Sequence, residues 1–221
     1  ALTLAHEITD HRILFLCTKE SELAVKRIAE KDFMTVLQSG ALLDDVLGME
    51  PDLVVNDILD TDHQYVSGLK KRGVKVVNFE DSGPGAGAAD LVVNALYHQN
   101  DELPDKHLYG PKYFCLRDEF INVEKRQFHK IARNLLITFG GTDLGNLTLQ
   151  TLCSVREICE ERRIKIFVVT GPGYLHKESF QDYLIGVAHQ NIEYIHETGI
   201  MSSIMQQADL AISSAGRTVY E

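Results

Sequence analysis

Hydrophobic residues in this chain fall into short, β-branched runs separated by longer stretches with three-and-four spacing. The runs at 13–18, 34–37, 53–56, 74–79 and 91–94 predict strands in the first half. Those at 134–139, 164–170, 192–194 and 210–213 predict strands in the second. Between them, 21–31, 41–47, 63–71, 146–161, 177–189 and 200–207 have the pattern of one-faced helices. In the first of these Ala24, Val25, Ile28 and Ala29 share a face, and Ser21 stands where an N-cap belongs. Strands alternating with helices are the signature of βαβ units and parallel sheets. A continuous run such as Leu53-Val54-Val55 predicts burial on both faces, as a parallel sheet requires.

Residues 97–112 break the pattern with two prolines and many polar positions, and read as a linker. A helix over 115–130 is expected to carry the chain onward. The fold class predicted is α/β, with two Rossmann-like open parallel-sheet domains. An N-terminal domain spans 1–115, a crossover helix 116–130 and a C-terminal domain 131–221. Ligands of such sheets bind at the carboxyl ends of the strands, here expected in the crevice between the two sheets. The chain opens in a helical pattern with neither Met nor cap, and stops as another helix begins at Arg217. It is expected to be truncated at both ends.

A net charge of −10 argues against DNA, RNA and anionic membrane surfaces as partners. No run approaches the roughly 18 apolar residues needed to span a bilayer, and no signal peptide opens the chain, so a cytoplasmic location is expected. Cys17, Cys115, Cys153 and Cys159 form no CxxC pair and are expected to be buried, reduced thiols.

The strongest local signal is Leu135-Leu136-Ile137-Thr138-Phe139 running into Gly140-Gly141-Thr142-Asp143, with a helix from about Asn146. Glycines there let the backbone approach a ligand, and a helix N-terminus offers N–H groups. The second is Leu210-Ala211-Ile212 emptying into Ser213-Ser214-Ala215-Gly216-Arg217-Thr218, small residues suited to a diphosphate, with Arg217 able to add charge. Glu221 follows one turn later, where a carboxylate can accept from ribose hydroxyls or simply face solvent. Gly83-Pro84-Gly85-Ala86-Gly87-Ala88 matches the dinucleotide-binding string, but it leads into a strand rather than a helix. It is read as a mobile loop. Asp57 and the pair Glu80-Asp81 follow predicted strands at the functional edge and can orient a sugar or assist proton transfer. Asp60-Thr61-Asp62 spells D-x-D but precedes a helix, where a cap is the better reading. No H-E-x-x-H or G-x-S-x-G occurs, and neither metal nor cofactor is expected.

Together these stretches resemble a known family, the UDP-sugar hydrolases of spore-coat polysaccharide and pseudaminic-acid biosynthesis (the PseG/SpsG family). The resemblance is carried by Gly140-Gly141-Thr142-Asp143 with Asn146-Leu147-Thr148, and by Tyr113 with Leu116-Arg117-Asp118-Glu119-Phe120. Leu91-Val92-Val93-Asn94, Val74-Lys75-Val76-Val77 before Glu80-Asp81, and Ser213-Ser214 before Glu221 add to it. It covers nearly the whole chain. It implies the GT-B architecture of inverting glycosyltransferases, close to the cell-wall transferase MurG. It also implies a sugar-binding first domain; Asp57, Glu80 and Asp81 there, with Gly140, Gly141, Thr142, Asp143 and Asn146 of the second domain, are the candidate substrate contacts. In the UDP-binding second domain, Ser213 to Thr218 would cradle the diphosphate, Glu221 would hold the ribose, and Ile195-His196 would meet the uracil.

The reaction implied is hydrolysis of a UDP-sugar with inversion, releasing UDP, in cell-surface polysaccharide or nonulosonic-acid synthesis. Two departures stand out. The family's first strand and its Gly-x-Gly-His loop, source of the general base, are expected upstream of Ala1. Ile58-Leu59 stand where the hydrolase has His-Tyr after the aspartate matching Asp57. An inverting GT-B glycosyltransferase is the close alternative. A non-catalytic nucleotide-sugar-binding module, fused within a larger nucleotidyltransferase, is the alternative from another class.

Overall fold

The computed structural model describes residues 1–97, 106–124, 129–187, 190–214 and 216–221. Every strand pair among them is parallel. The chain divides into two units, Ala1–Cys115 and Leu116–Glu221.

The first unit runs α1 (Leu2–Glu7), β1 (Leu14–Cys17), α2 (Glu22–Ala29), β2 (Met34–Leu37), α3 (Leu42–Leu47), β3 (Leu53–Asn56), α4 (His63–Lys71), β4 (Lys75–Phe79), β5 (Leu91–Asn94) and β6 (His107–Tyr109). Its four-stranded sheet has the order β3-β4-β5-β6, while β1 and β2 pair separately. Val76 and Val92 of the sheet pack against Val66 and Leu69 of α4 to form one core, and all four are essentially buried. β3 is an edge of this sheet, so Leu53 remains 48% exposed and Val54 and Val55 half-buried, against the expectation of burial on both faces. β6 corrects the linker reading of 97–112. It is a three-residue strand, paired with β5, in a stretch too polar and too short to show a period.

The second unit runs α5 (Asp118–Ile121), β7 (Asn134–Thr138), α6 (Leu147–Glu161), β8 (Lys165–Thr170), α7 (Lys177–Gly186), β9 (Ile192–His196), α8 (Met201–Gln207) and β10 (Leu210–Ser213). The expected crossover helix over 115–130 shrinks to the single turn of α5. Residues 122–124 and 129–130 are not helical, and 125–128 lie outside the described residues. The last residues form a 3-10 turn at Arg217–Val219 where a longer helix was expected.

Strand alternation splits the second unit's apolar residues between two faces. Leu135, Ile137, Ile166 and Val168 pack with Leu152 of α6 and Phe180 of α7. Leu136, Phe167 and Val169 pack with Phe120 of α5 and with Met201 and Ile204 of α8. Both faces of the central strands β7 and β8 are thereby covered, which explains their unbroken apolar runs.

The four cysteines are free thiols. Only Cys159 is buried; Cys153 is exposed and the other two lie between, a correction to the expectation of four buried thiols. Helical patterning places Cys153 on a different side of α6 from Cys159, and only one side meets the core.

Candidate functional site

The strand order of the second sheet, β10-β7-β8-β9, contains a reversal. The chain builds outward from β7 through β8 to β9, then returns to add β10 on the other side of β7. The helices α6 and α7 lie on one face and α8 on the other. β7 and β10 therefore flank a topological switch point, where connections leave in opposite directions and open a crevice at the carboxyl edge. The loops that emerge there are Gly140-Gly141-Thr142 and Ser213-Ser214 with Gly216-Arg217-Thr218, the two small-residue segments singled out in the sequence. Ala215 lies outside the described residues.

The first loop is shaped by glycine and by one acid. Gly140 has φ 82°, a conformation that a side chain would strain. Gly171, after β8, comes so close to the same loop that a Cβ would lie 2.5 Å from the Gly141 Cα. The Gly173 N–H donates to the Gly141 carbonyl at 3.0 Å, which fastens the two loops together. Asp143 turns inward, and its carboxylate accepts from the N–H groups of Leu147 (2.9 Å) and Thr148 (2.8 Å). It caps α6 from three residues before the helical N-cap position held by Asn146. These two N–H groups are thus taken within the protein, while the loop itself is exposed at Gly140, Gly141 and Thr142. The Tyr174 hydroxyl donates to Asn146 Oδ1 at 2.6 Å, and burial together with the Asp143 and Tyr194 groups pushes the Tyr174 pKa up to about 12.

At the ends of β8 and β9, Thr170 Oγ1 lies 3.1 Å from both the Tyr194 hydroxyl and His196 Nδ1. His196 is half-buried and orients from this contact; Ile195 beside it packs toward the α8 face. Ser214 and Arg217 are exposed, and Ser213, Gly216 and Thr218 half-exposed. Glu221 is held differently from a surface glutamate. Its side chain is 7% exposed and its carboxylate takes two parallel bonds from Arg117, Nε to Oε1 at 2.8 Å and Nη2 to Oε2 at 3.0 Å. Partial burial lowers the Arg117 pKa, but the Glu221 bonds and the Glu221 and Glu119 charges raise it more, so the net shift is upward.

In the first unit the acids at the carboxyl edge have distinct duties. Asp81 is 1% exposed and receives four groups: the Thr61 N–H and hydroxyl, the Asn78 amide and the Gly83 N–H. The network extends from Asn78 to Asn56, and Asn56 accepts from Tyr65, whose pKa burial drives up to about 12 against the opposing Asn56 bond. Glu80, at φ 53°, accepts from the N–H groups of Ala95 and Leu96. The loop at 82–88 is accordingly pinned rather than free: the Gly85 N–H also donates to the Thr61 carbonyl at 2.8 Å, and Ala86 is buried. Gly83 and Gly85 sit against Thr61 with no space for a Cβ. Asp57 is exposed and pairs with the Ala1 amino group at 2.8 Å. Asp62 caps α4, accepting from Gln64 and Tyr65, in keeping with the reading of D-x-D as a cap. Ser21 precedes α2, but its hydroxyl meets Thr18 instead of the helix.

Two features escaped the sequence reading. The buried asparagines Asn56, Asn78 and Asn94 each end or nearly end an apolar strand, and an amide in such a run signals a buried polar network. Arg117, noted only as part of a resemblance, turns out to be the partner of Glu221. No group of three or more His, Cys, Asp or Glu able to hold a metal occurs among the described residues. Nor is any helix among them long and apolar enough to cross a membrane.

Parallel sheets flanked by helices, with a switch point in the second unit, are consistent with a Rossmann-like, GT-B type of architecture. Residues 134–221 match the glycosyltransferase family 28 C-terminal domain. The chain is 29% identical to an uncharacterized protein of Methanocaldococcus jannaschii, over 100% of the chain and 49% of that protein. It is 26% identical to the spore coat polysaccharide biosynthesis protein SpsG of Bacillus subtilis, over 81% of the chain and 55% of that protein. The chain thus spans about half the length of the curated relatives it matches. These similarities make it a distant homologue of SpsG-like proteins, a link at the level of family.

Proposed function

We propose that this chain is the nucleotide-sugar-handling part of its parent protein and that a UDP-sugar binds at the switch point of the second unit. The observation that carries this reading is that the 140–142 loop and residues 213–214 and 216–218 follow the adjacent strands β7 and β10, with the Glu221 carboxylate three residues further on already fixed by Arg117. Ser213, Ser214, Gly216, Arg217 and Thr218 supply hydroxyl, backbone and guanidinium donors for the diphosphate, Ala215 contributes by its place in the sequence, and Glu221 takes the ribose hydroxyls. Ile195 and His196 border the base. The similarity of residues 134–221 to a glycosyltransferase C-terminal domain supports the same assignment.

In the hydrolysis we favour, water attacks the anomeric carbon from the face opposite UDP, with inversion, and gives up a proton to solvent as the new C–O bond forms. The C1–O bond breaks, and its electron pair passes to the β-phosphate oxygen. Donors around 213–218 stabilise the charge that develops there. Gly140, Gly141 and Thr142 contact the substrate, held in shape by Asp143 and Asn146. On this reading Glu80 and Asp81 serve the sugar-side edge by fixing its loops, and Asp57, exposed and paired with the Ala1 amino group, is the acid on that edge that reaches a sugar. An inverting transfer to an acceptor uses the same leaving-group chemistry. One observation favours a non-catalytic binding module: Ile58 and Leu59, 40% and 65% exposed, put groups that transfer no protons beside Asp57.

The test is calorimetric titration of UDP, ADP and CMP into the full-length parent protein and its Glu221→Ala variant. UDP is expected to bind in preference, with affinity about tenfold or more weaker in the variant. Equal binding of all three nucleotides would sink the reading. UDP-sugar turnover with and without acceptors then separates hydrolase, transferase and binder.

A further inference from the structure

We propose that Arg117 is a positioning residue that presets the Glu221 carboxylate for ribose; the inference rests on the nucleotide reading above. A glutamate side chain has three rotors to lose on binding, and the 3-10 turn before Glu221 fixes none of them. The Arg117 fork does, because its paired bonds of 2.8 and 3.0 Å define the carboxylate plane as well as its position. An ionised carboxylate offers about four lone-pair sites, and Arg117 fills two. Each oxygen keeps one acceptor site, which matches the two neighbouring hydroxyls of a ribose.

Arg117 is itself anchored. Its Nη1 lies 2.7 Å from Glu119 Oε1, and Glu119 Oε2 accepts from the Ser202 N–H at 2.9 Å, in the first turn of α8. The Phe120 ring centroid lies 4.9 Å from the guanidinium carbon. The segment before β7 thus sets the geometry of a residue 104 positions later in sequence. Arg117 also offsets a negative charge that has to lie near a diphosphate, in a chain whose net charge is already −10.

The experiment measures UDP and 2′,3′-dideoxy-UDP binding to the full-length parent protein by calorimetry, in wild type, Glu221→Ala, Arg117→Ala and Arg117→Lys. Wild type is expected to prefer UDP by about tenfold or more. In Glu221→Ala and Arg117→Ala that ratio falls close to unity while affinity for the dideoxy analogue holds, which also establishes that the variants are folded. Arg117→Lys gives an intermediate ratio, since an ammonium cannot form the fork. Retention of the wild-type ratio in Arg117→Ala, or equal loss of both ligands, overturns the inference and leaves the nucleotide reading standing. Failure of wild type to bind UDP, or to tell the two ligands apart, overturns the ribose assignment and the inference with it.

Discussion

Asp81 and Asp90 lie nine residues apart, and their surroundings give them different work. Asp81 is sealed among four donors and serves the shape of its edge. Asp90 stands at the start of β5, bonded to the Lys70 ammonium and to the Val76 N–H at 2.8 Å, with Lys75 nearby. The Lys70 bond, with the Val76 bond and the two lysine charges, outweighs burial and holds its pKa below the ordinary value. A carboxylate depressed in the folded state binds fewer protons there than in the unfolded chain. Its stabilisation is present above the unfolded value, near pH 4, and is lost as pH falls through the folded value. Asp90→Asn is expected to lower the urea midpoint at pH 7 and to flatten its decline between about pH 4 and pH 2. An unchanged midpoint at pH 7 would show that the pair contributes nothing, as many exposed pairs do.

Element boundaries followed the apolar pattern in edge and central strands alike. α4 and the strands β2, β3, β5 and β10 lie at the positions read from the sequence, and β7 and β8 within one residue. The misses have physical causes. β6 owes its pairing to β5 rather than to its own residues, and α5 ends after one turn at Asn122, a weak helix former. The contact of the 140–142 and 171–173 loops is an element-scale feature that spacing cannot reveal, since it depends on which strands lie side by side. Gly171→Ala drives a methyl group into the Gly141 backbone. The expected cost is about 1–3 kcal/mol in urea unfolding, with weaker UDP binding as the 140–142 loop shifts. Wild-type values for both would disprove the contact.

At the scale of the molecule, each unit has its own apolar interior, one around Leu69 and one around Leu152, both fully buried. Leu69→Ala and Leu152→Ala are each expected to cost about 2–5 kcal/mol through lost burial and the cavities left behind. They share no core neighbours, so the loss in the double variant should equal the sum to within about 0.5 kcal/mol. A larger departure in denaturant unfolding would mean that the interiors are energetically joined.

The sequence by itself determined the α/β class, the parallel strands and the two loops that carry small residues to a sheet edge. Those depend on local physics: β-branched runs favour extended chain, three-and-four spacing makes one-faced helices, and glycine permits close turns. Only the tertiary structure decided that those loops flank one switch point, because strand order is a choice among topologies that share the same local pattern. It also decided that Glu80, Asp81 and Asp143 spend their carboxylates on backbone N–H groups, and that Glu221 is gripped by Arg117. A carboxylate reads alike in sequence whether it meets solvent, a ligand or a buried donor. Which of these it meets is fixed by chain segments far away in sequence, and the need to satisfy every buried polar group selects among them.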